Sequence, residues 1–154
     1  MEMALNAEFI RNLERQMEKL DRVLKKFNEK ALSKKPEGKW SAKEIIGHLG
    51  DCEYVYGVRM RIALAEPGNT LQPFDQNLWV EKLKHQEKEI GKLVETLKGL
   101  RRANLTVLKD VKETDWEKYG MHIERGKMTV EGMVKLLAEH FERHLEQVER
   151  VAGN

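Results

Sequence analysis

Apolar residues recur every three or four positions along four stretches of the chain, and this spacing predicts four amphipathic helices. The first stretch ends at the sequence SKKPEGK, where Pro36 and Gly38 interrupt the pattern. Its apolar positions are Leu5, Phe9, Leu13, Met17, Leu20, Leu24, Phe27 and Ala31. The pattern therefore predicts one long first helix with a single buried face.

The second predicted helix has a clear start at Ser41. Glu44 follows three residues later, so the two residues can form a capping box, in which each side chain accepts a hydrogen bond from the backbone amide of the other. Trp40 and Ile45 flank the cap and can form a hydrophobic staple. The apolar face continues to residues 66–68, where the sequence Glu-Pro-Gly predicts the end of the helix.

The third and fourth predicted helices are separated by a stretch without helical periodicity. The third begins near Trp79 and continues to Val107 or Val111. Residues 113–127 contain two glycines and no helical repeat, so we predict a long loop there. The fourth helix follows over residues 130–151.

These elements predict a single all-α domain that spans residues 1–154. A chain of 154 residues suits one hydrophobic core, and 40% of its residues are hydrophobic. The three prolines all lie between the periodic stretches, which favours helices over a β fold with many turns. We therefore predict a four-helix bundle.

Charge and composition exclude several classes of partner. The 28 Lys and Arg residues are balanced by 26 Asp and Glu residues, so the net charge is only +2. Because nucleic-acid binders gather uncompensated cations on one surface, we predict no nucleic-acid partner. No stretch approaches the roughly 18 apolar residues that span a bilayer, so we predict no membrane partner. The N-terminal stretch lacks the apolar region of a signal peptide, and Cys52 is the single cysteine, so we expect a cytoplasmic protein.

Two histidines lie on the apolar face of the fourth predicted helix. His140 and His144 are four residues apart, so their side chains project from the same side of the helix, a spacing that suits two ligands of one metal ion. A buried imidazole without a polar partner costs about 1–3 kcal/mol, and a metal would satisfy both rings. The alternative is a pair of hydrogen-bonded or hydrated histidines at a helix edge. The apolar face consists of Met133, Leu137, His140, His144, Val148 and Val151.

His48 is the third candidate ligand. It lies on or beside the apolar face of the second predicted helix, between Ile45 and Leu49. Alone it would be explained more simply as a hydrogen-bonded core histidine. Together with the pair on the fourth helix it completes a three-histidine site with an open coordination position, as in catalytic rather than structural metal sites. His85 is expected to be exposed and His122 to lie in a loop, so neither is included.

The spacing of the histidines excludes two other metal motifs. Phe141 follows His140 at the position where HExxH zinc proteases carry their general base. No Glu precedes any histidine by three residues, so the Glu-x-x-His motif of di-iron bundles is absent. A mononuclear site is the interpretation that remains.

Three segments of the chain resemble the DinB superfamily. They are WSAKEIIGHLGDCE at 40–53, RIALAEPGNTLQPFDQNLW at 61–79 and HIERGKMTVEGMVKLLAEHFERHLEQV at 122–148. The resemblance is strongest to the YfiT-like branch, which includes bacillithiol S-transferases and proteins described as metal-dependent hydrolases. It covers about residues 5–150. Its most specific feature is one histidine on helix 2 and an HxxxH pair on helix 4, which correspond to His48, His140 and His144.

The resemblance implies a four-helix bundle with up-down-down-up topology that binds one divalent metal ion. In the best-known members the metal is nickel or zinc, and such proteins are often homodimers. The leading functional hypothesis is a metal-dependent thiol S-transferase, in which the metal binds a small thiol as thiolate and presents it to an electrophile.

Two alternatives to the transferase stay open, because one fold hosts several activities. The first is a metal-dependent hydrolase, in which the metal activates water. The second is a non-catalytic metal-binding stress protein. No residue is assigned as a catalytic acid or base. Asp51, Cys52 and Glu53 lie within one turn of His48 and are candidates for contacts around the site, although Cys52 is more simply a small buried core residue.

Overall fold

Helices account for most of this computed structural model, which describes the backbone of residues 2–154 and the side chains from Asn6 onward. The helices are α1 (Glu2–Leu24), α2 (Glu29–Ser33), α3 (Ala42–Ala65), α4 (Gln76–Lys82), α5 (Ile90–Leu108) and α6 (Val130–Gly153). The strands are β1 (Thr70–Leu71), β2 (Tyr119–His122) and β3 (Gly126–Thr129), and short 3-10 turns occur at His85–Glu87 and Glu113–Asp115. The predicted core position of Leu5 lies outside the described side chains.

The long helices α1, α3, α5 and α6 form a bundle in which α1 and α3 each pack against α5 and α6. Helices α1 and α6 run in the same direction, because Gln16 donates a hydrogen bond to the carbonyl of Ala138 while Lys26, further along α1, pairs with Glu149, further along α6.

Helices α3 and α5 are also parallel to each other. Glu53 pairs with Arg101, and four residues later Gly57 lies against Asn104. Helix α5 runs opposite to α1, since Asp21 near the end of α1 pairs with Lys98 while Glu14 pairs with Lys109. In chain order the four long helices therefore run up, down, down and up, as predicted.

Two clusters of buried hydrophobic side chains fill the bundle. The cluster nearer the sheet includes Cys52, Met60 and Met133, and the other includes Leu49 and Phe141. Leu49 and Cys52 belong to different clusters, so the turn of α3 that carries His48 lies at the boundary between them.

The predicted boundaries of the second and fourth helices are confirmed. Helix α3 begins directly after Ser41, whose Oγ accepts a hydrogen bond from the Glu44 amide at 3.0 Å. The Glu44 carboxylate accepts one from the Ser41 amide at 3.2 Å, which completes the capping box. The helix ends at Ala65, before Pro67, and α6 covers the whole of the predicted fourth helix.

The first and third predicted helices are each interrupted. Asn28 caps a separate helix α2 by accepting a hydrogen bond from the Ala31 amide at 2.8 Å. Helices α4 and α5 are separated by Lys84, which has a left-handed φ of 57°, and by the 3-10 turn at His85–Glu87. No proline or glycine marks either break, and the apolar spacing continues through it. The interruption is therefore not visible in the sequence pattern.

The segment predicted as a loop at 113–127 contributes a β-hairpin. Strands β2 and β3 are antiparallel, and β1 pairs in parallel with β2. Gly126 has a left-handed φ of 76° at the hairpin turn. At Gly120 a Cβ would lie 2.5 Å from the Leu71 side chain, so this glycine allows the two strands to approach. The helical bundle therefore carries a small three-stranded sheet, which packs against α3.

None of the helices within residues 2–154 combines the length and the apolar character that crossing a bilayer requires.

Candidate metal centre

The imidazole rings of His48, His140 and His144 form one cluster between α3 and α6. The ring centroid of His48 lies 5.0 Å from that of His140 and 4.8 Å from that of His144. The centroids of His140 and His144 are 4.3 Å apart. His48 is completely buried, whereas the other two rings are half-buried. The HxxxH spacing places two rings on one side of α6, and the capped helix α3 brings the third ring against them.

The spacing of one nitrogen pair in the cluster, that of His48 and His140, fits two ligands of one divalent metal ion. The Nε2 atoms of His48 and His140 are 3.2 Å apart. Two nitrogen ligands at about 2.0–2.1 Å from a tetrahedral ion lie roughly 3.3 Å from each other. In the absence of a metal, one Nε2 donates a hydrogen bond to the other. With a metal between them, both lone pairs would be satisfied, and imidazole donors suit both zinc and nickel.

His144 is held in an orientation that frees its second nitrogen. Its Nδ1–H donates a hydrogen bond to Oε1 of Gln147 at 2.8 Å, so Nε2 carries the lone pair. Metal-binding histidines commonly have such a partner, which fixes the tautomer and the ring orientation. The Trp40 ring covers the cluster, with its centroid 4.8 Å from that of His48 and 6.3 Å from that of His144.

Cys52 contributes a fourth donor atom beside the cluster. Its Sγ lies 3.5 Å from Nε2 of His48, and the donor atoms of His48, Cys52 and His140 all lie within 4.8 Å of one another. Burial raises the pKa of the Cys52 thiol far above its ordinary value, and the carboxylates of Asp51 and Glu53 raise it further, so the metal-free thiol is protonated. Among the residues that the structure describes, this His-Cys-His set is the group whose donor atoms meet that spacing, and His144 does not complete such a group, although its ring centroid lies within 4.8 Å of those of His48 and His140.

Asp51 and Glu53 turn away from the cluster, although both are neighbours of Cys52 in sequence. Asp51 accepts a hydrogen bond from Nε2 of His85 at 2.7 Å, and Glu53 accepts one from Nε of Arg101 at 2.7 Å. Of the three candidates for contacts around the site, only Cys52 faces the imidazoles.

All three clustered histidines are neutral at neutral pH. Burial, followed by the neighbouring His144 and His140, lowers the pKa of His48 to about 3. Burial, followed by His144, Arg143 and Arg125, lowers the pKa of His140 to about 4. Burial also lowers the pKa of His144. Because metal ligands must be deprotonated, the cluster is in the protonation state that binding requires.

A cavity of about 180 Å³ opens beside the cluster and is lined by His140 and Cys52 at one side. Its wall is strongly cationic, because Arg59, Arg125 and Arg143 line it, and Glu124 is the one carboxylate among its lining residues. The cavity provides space for a small molecule next to the imidazoles.

The other two histidines do not lie where the sequence predicted. His85 is buried rather than exposed, at 5% exposure, and its ring occupies the space that a Cβ on Gly47 would need, at 2.4 Å. The break between α4 and α5 turns it inward, onto Asp51 of α3. His122 belongs to β2 rather than to a loop, and it is also 5% exposed. Neither histidine joins the cluster.

Arg59 is a site residue that the sequence analysis missed. It follows His48 by eleven residues, three helical turns, and therefore lies on the same face of α3 as His48, Cys52 and Tyr56. That spacing was a readable signal, but a single arginine among many charged residues did not stand out from a solvent-exposed helix face.

The comparison with family models gives one match over most of the chain. Residues 12–148 match the model described as the DinB superfamily. Two of the relatives carry the name "putative metal-dependent hydrolase". The one from Oceanobacillus iheyensis is 25% identical over 138 residues, which cover 86% of this chain and 80% of that protein. The one from Bacillus mycoides is 23% identical over 137 residues, which cover 88% and 79%.

A solved structure with the same fold is that of YfiT from Bacillus subtilis, described as a probable metal-dependent hydrolase with an unusual four-helix bundle topology. It superposes with a TM-score of 0.88 over 96% of this chain and 86% of that chain, at 18% sequence identity. At that identity the likeness concerns the fold alone.

Proposed function

This chain belongs to the DinB superfamily, and from that membership and its imidazole cluster we propose that it is a metal-dependent enzyme, in the first place a thiol S-transferase. In this proposal His48, His140 and His144 hold one divalent ion, nickel or zinc. The single observation that carries it is the convergence of three neutral imidazoles beside a cavity large enough for a small molecule.

A divalent ion bound there would supply Lewis-acid chemistry, which lowers the pKa of a thiol or a water molecule placed on it. The residues of the chain do the rest. His48 anchors the site from the bundle interior, Gln147 orients His144, and Trp40 shields the two rings from solvent. Neutral ligands leave the full charge of the ion available to an incoming anion.

Two features of the cavity favour a thiol over water as the nucleophile. Three lining residues could act as a general base for water, but His140 is assigned to the metal and Nδ1 of His122 already accepts from two backbone amides. The third is Glu124, an exposed residue and the one carboxylate among the lining residues, so the cavity offers little general-base catalysis. A divalent ion would deprotonate a thiol placed on it outright but would leave a water molecule there with a pKa of about 7, so a thiol depends less on a general base than water does. In addition, the arginines of the cavity favour the negative charge of a thiolate.

The proposed reaction balances without a further reactant. The thiol proton would pass to solvent when the thiol is bound at the site. The sulfur lone pair then forms a bond to an electrophilic carbon, and the electron pair of the broken bond departs with the leaving group or with the oxygen of an opened ring. The products are a thioether and a leaving group that takes up a proton from solvent or, where a ring is opened, a single thioether that carries a hydroxyl group.

Hydrolysis is the second candidate, and the names of the two relatives described above favour it. The same three histidines would then serve an attack of water on an ester or amide. A purely structural metal is the third candidate and would be favoured if Cys52 closed the coordination sphere. We further propose, from the family resemblance, that the protein is a cytoplasmic homodimer.

Cobalt substitution tests the transferase proposal. We expect that adding a small thiol to the cobalt protein produces a sulfur-to-metal charge-transfer band, and that thiol consumption with a small electrophile depends on each of the three histidines. The experiment is done in a Cys52→Ala background, so that any sulfur band must come from the added thiol and not from the protein.

Three results distinguish the candidates. A thiol-dependent band that is lost in His144→Ala supports the transferase. A spectrum that ignores thiols, together with metal-dependent ester or amide cleavage, contradicts the transferase and supports the hydrolase. A second cobalt spectrum is recorded for the protein with Cys52 intact and no added thiol. A sulfur band there that is absent from Cys52→Ala supports the closed structural site and contradicts an open one.

A further inference from the structure

The hydrogen bonds of His122 define which of its ring nitrogens carries the proton. Nδ1 lies 3.1 Å from the backbone amide nitrogen of Glu124 and 3.2 Å from that of Arg125, and both amides are donors. Nδ1 must therefore present its lone pair. Burial, followed by the charges of Arg59 and Arg125, lowers the pKa of His122, so the ring is neutral and its single proton is on Nε2.

That proton faces another donor. Nε2 of His122 lies 3.2 Å from Nη2 of Arg59, whose N–H groups are also donors. Arg59 is fixed in this position because Nε and Nη2 donate to the carbonyl of Gln72 at 3.2 and 2.6 Å. Both His122 and Arg59 are only 5% exposed, and both line the cavity beside the imidazole cluster.

Two buried donors that face each other indicate a missing acceptor. The other tautomer of His122 would accept from Arg59 but would leave the two backbone amides without their acceptor, so it moves the mismatch and does not remove it. An oxygen with a negative charge, placed in the cavity, would accept from both the guanidinium and the imidazole N–H.

The cavity wall around His122 and Arg59 also carries more positive than negative charge. Arg125 and Arg143 line the same cavity, and like Arg59 they form no ion pair with a carboxylate among the residues that the structure describes. Three guanidinium groups thus face one carboxylate, that of Glu124. Cations gathered in a concave wall favour a bound anion.

We propose that this cavity contains an anion subsite, with Arg59 and His122 as its buried floor and Arg125 and Arg143 at its rim, which binds a carboxylate or phosphate group of the substrate. The inference rests on the proposed function and adds the class of substrate: a small molecule with its reactive group at the His140 side and an anionic group at the Arg59 side.

The geometry of α3 limits the length of that molecule. The Cα atoms of His48 and Arg59 are roughly 16 Å apart along the helix axis, because each residue advances the helix by about 1.5 Å. The Arg59 side chain leans towards the N-terminus of α3 and so shortens the distance to the imidazoles. A substrate of metabolite size, rather than a polymer, fits this spacing and the cavity of about 180 Å³.

The test is a calorimetric titration of metal-free protein, stripped by dialysis, with inorganic phosphate, succinate and the neutral analogue succinamide. We expect saturable binding of at least one of the two anions and no binding of succinamide. Binding should weaken by about tenfold or more in the double variant Arg125→Gln/Arg143→Gln, since it removes two cations that would pair with the anion. Arg102→Gln/Arg150→Gln, which removes two exposed arginines that do not line the cavity, is the control for net charge and should bind as the wild type does.

Arg59→Lys tests the floor of the subsite by keeping the charge and removing the planar fork. We expect it to weaken anion binding while circular dichroism stays unchanged. If Arg59→Lys does not fold, the anion affinity of the double variant Arg125→Gln/Arg143→Gln still decides whether the subsite exists. Stronger binding of succinate assigns a carboxylate and stronger binding of phosphate assigns a phosphate ester. Equal affinity of the wild type and the double variant, or of succinate and succinamide, overturns the subsite.

Failure of this inference is distinguishable from failure of the proposed function. Anion binding by the metal-free protein does not depend on the metal chemistry, so it would survive if thiol transfer were absent. Conversely, a protein that consumes thiols in a metal-dependent way but binds neither anion retains its proposed function and lacks the subsite.

Discussion

Replacing His140 with alanine is expected to abolish the rise in melting temperature that divalent metal produces. A metal that binds only the folded state at a hundredfold excess over its dissociation constant stabilises that state by about 2.7 kcal/mol. For a domain of this size that corresponds to roughly 5–10 °C. Because His140 shares the closest nitrogen contact of the cluster, at 3.2 Å from His48, its removal leaves two imidazoles and lowers the affinity by orders of magnitude. The measurement is thermal unfolding with and without nickel or zinc.

His85→Ala is the matched control for His140→Ala. It also removes a buried imidazole, one that pairs with Asp51 outside the cluster. It is expected to lower the melting temperature of the metal-free protein while keeping the metal-induced rise. The readout is therefore the difference between metal-loaded and metal-free protein for each variant. An equal metal-induced rise in wild type and His140→Ala would show that the metal binds elsewhere.

Replacing Glu53 with alanine is expected to destabilise the protein by about 3–5 kcal/mol, because it leaves a buried guanidinium without its counter-charge. Arg101 and Glu53 are 0% and 1% exposed. Arg101 donates to Glu53 at 2.7 Å and to the carbonyl of Leu13 at 2.7 Å, and Asn104 donates to the other carboxylate oxygen at 2.9 Å. The network therefore ties α1, α3 and α5 together. Urea unfolding of the metal-free protein measures the loss.

Glu14→Ala is the control for Glu53→Ala, since it removes the carboxylate of a surface pair. Glu14 pairs with Lys109 at 2.6 Å, but the two side chains are 44% and 53% exposed. Such pairs contribute about 0–1 kcal/mol. A loss in Glu53→Ala no larger than that in Glu14→Ala would contradict the role assigned to the buried network.

Those parts of the fold that depend on long apolar repeats were predictable from the sequence. The fourth helix shows its stripe over six turns, and the Ser41–Glu44 capping box marks the start of α3 to the residue. These signals are local, since each involves side chains one turn apart. The same locality explains why His140 and His144 could be assigned to one face of one helix.

The breaks and the hairpin were not predictable, because tertiary contacts determine them. The residues at 25–28 and 83–89 have no helix-breaking proline or glycine, and the second break turns His85 onto Gly47, a contact between distant segments. Strands β2 and β3 are four residues each, too short for a period-two pattern to stand out. The position of His122 and its contact with Arg59 depend on that hairpin, so the anionic character of the cavity's ligand could not be inferred from the sequence.

The candidate ligands also include residues that the sequence could place and one whose role only tertiary contacts reveal. The sequence placed His48 on or beside the inner face of α3, and the structure brings its ring within 5.0 Å of both rings on α6. The sequence alone could not decide the role of Cys52, because a small core residue and a metal ligand can both occupy a buried position on a helix face. Only the distance of 3.5 Å between its Sγ and Nε2 of His48 makes it a competitor for the metal.

The central claim is that three histidines hold one divalent ion with a coordination position left open towards the cavity. A crystal structure of the zinc-loaded protein, with the ion located by anomalous scattering at the zinc edge, tests it most directly. We predict one ion with a nitrogen of His48, His140 and His144 each at about 2.0–2.1 Å and no protein sulfur bound. An ion held by His48, Cys52 and His140, with Sγ at about 2.3 Å and His144 still turned only to Gln147, would contradict it.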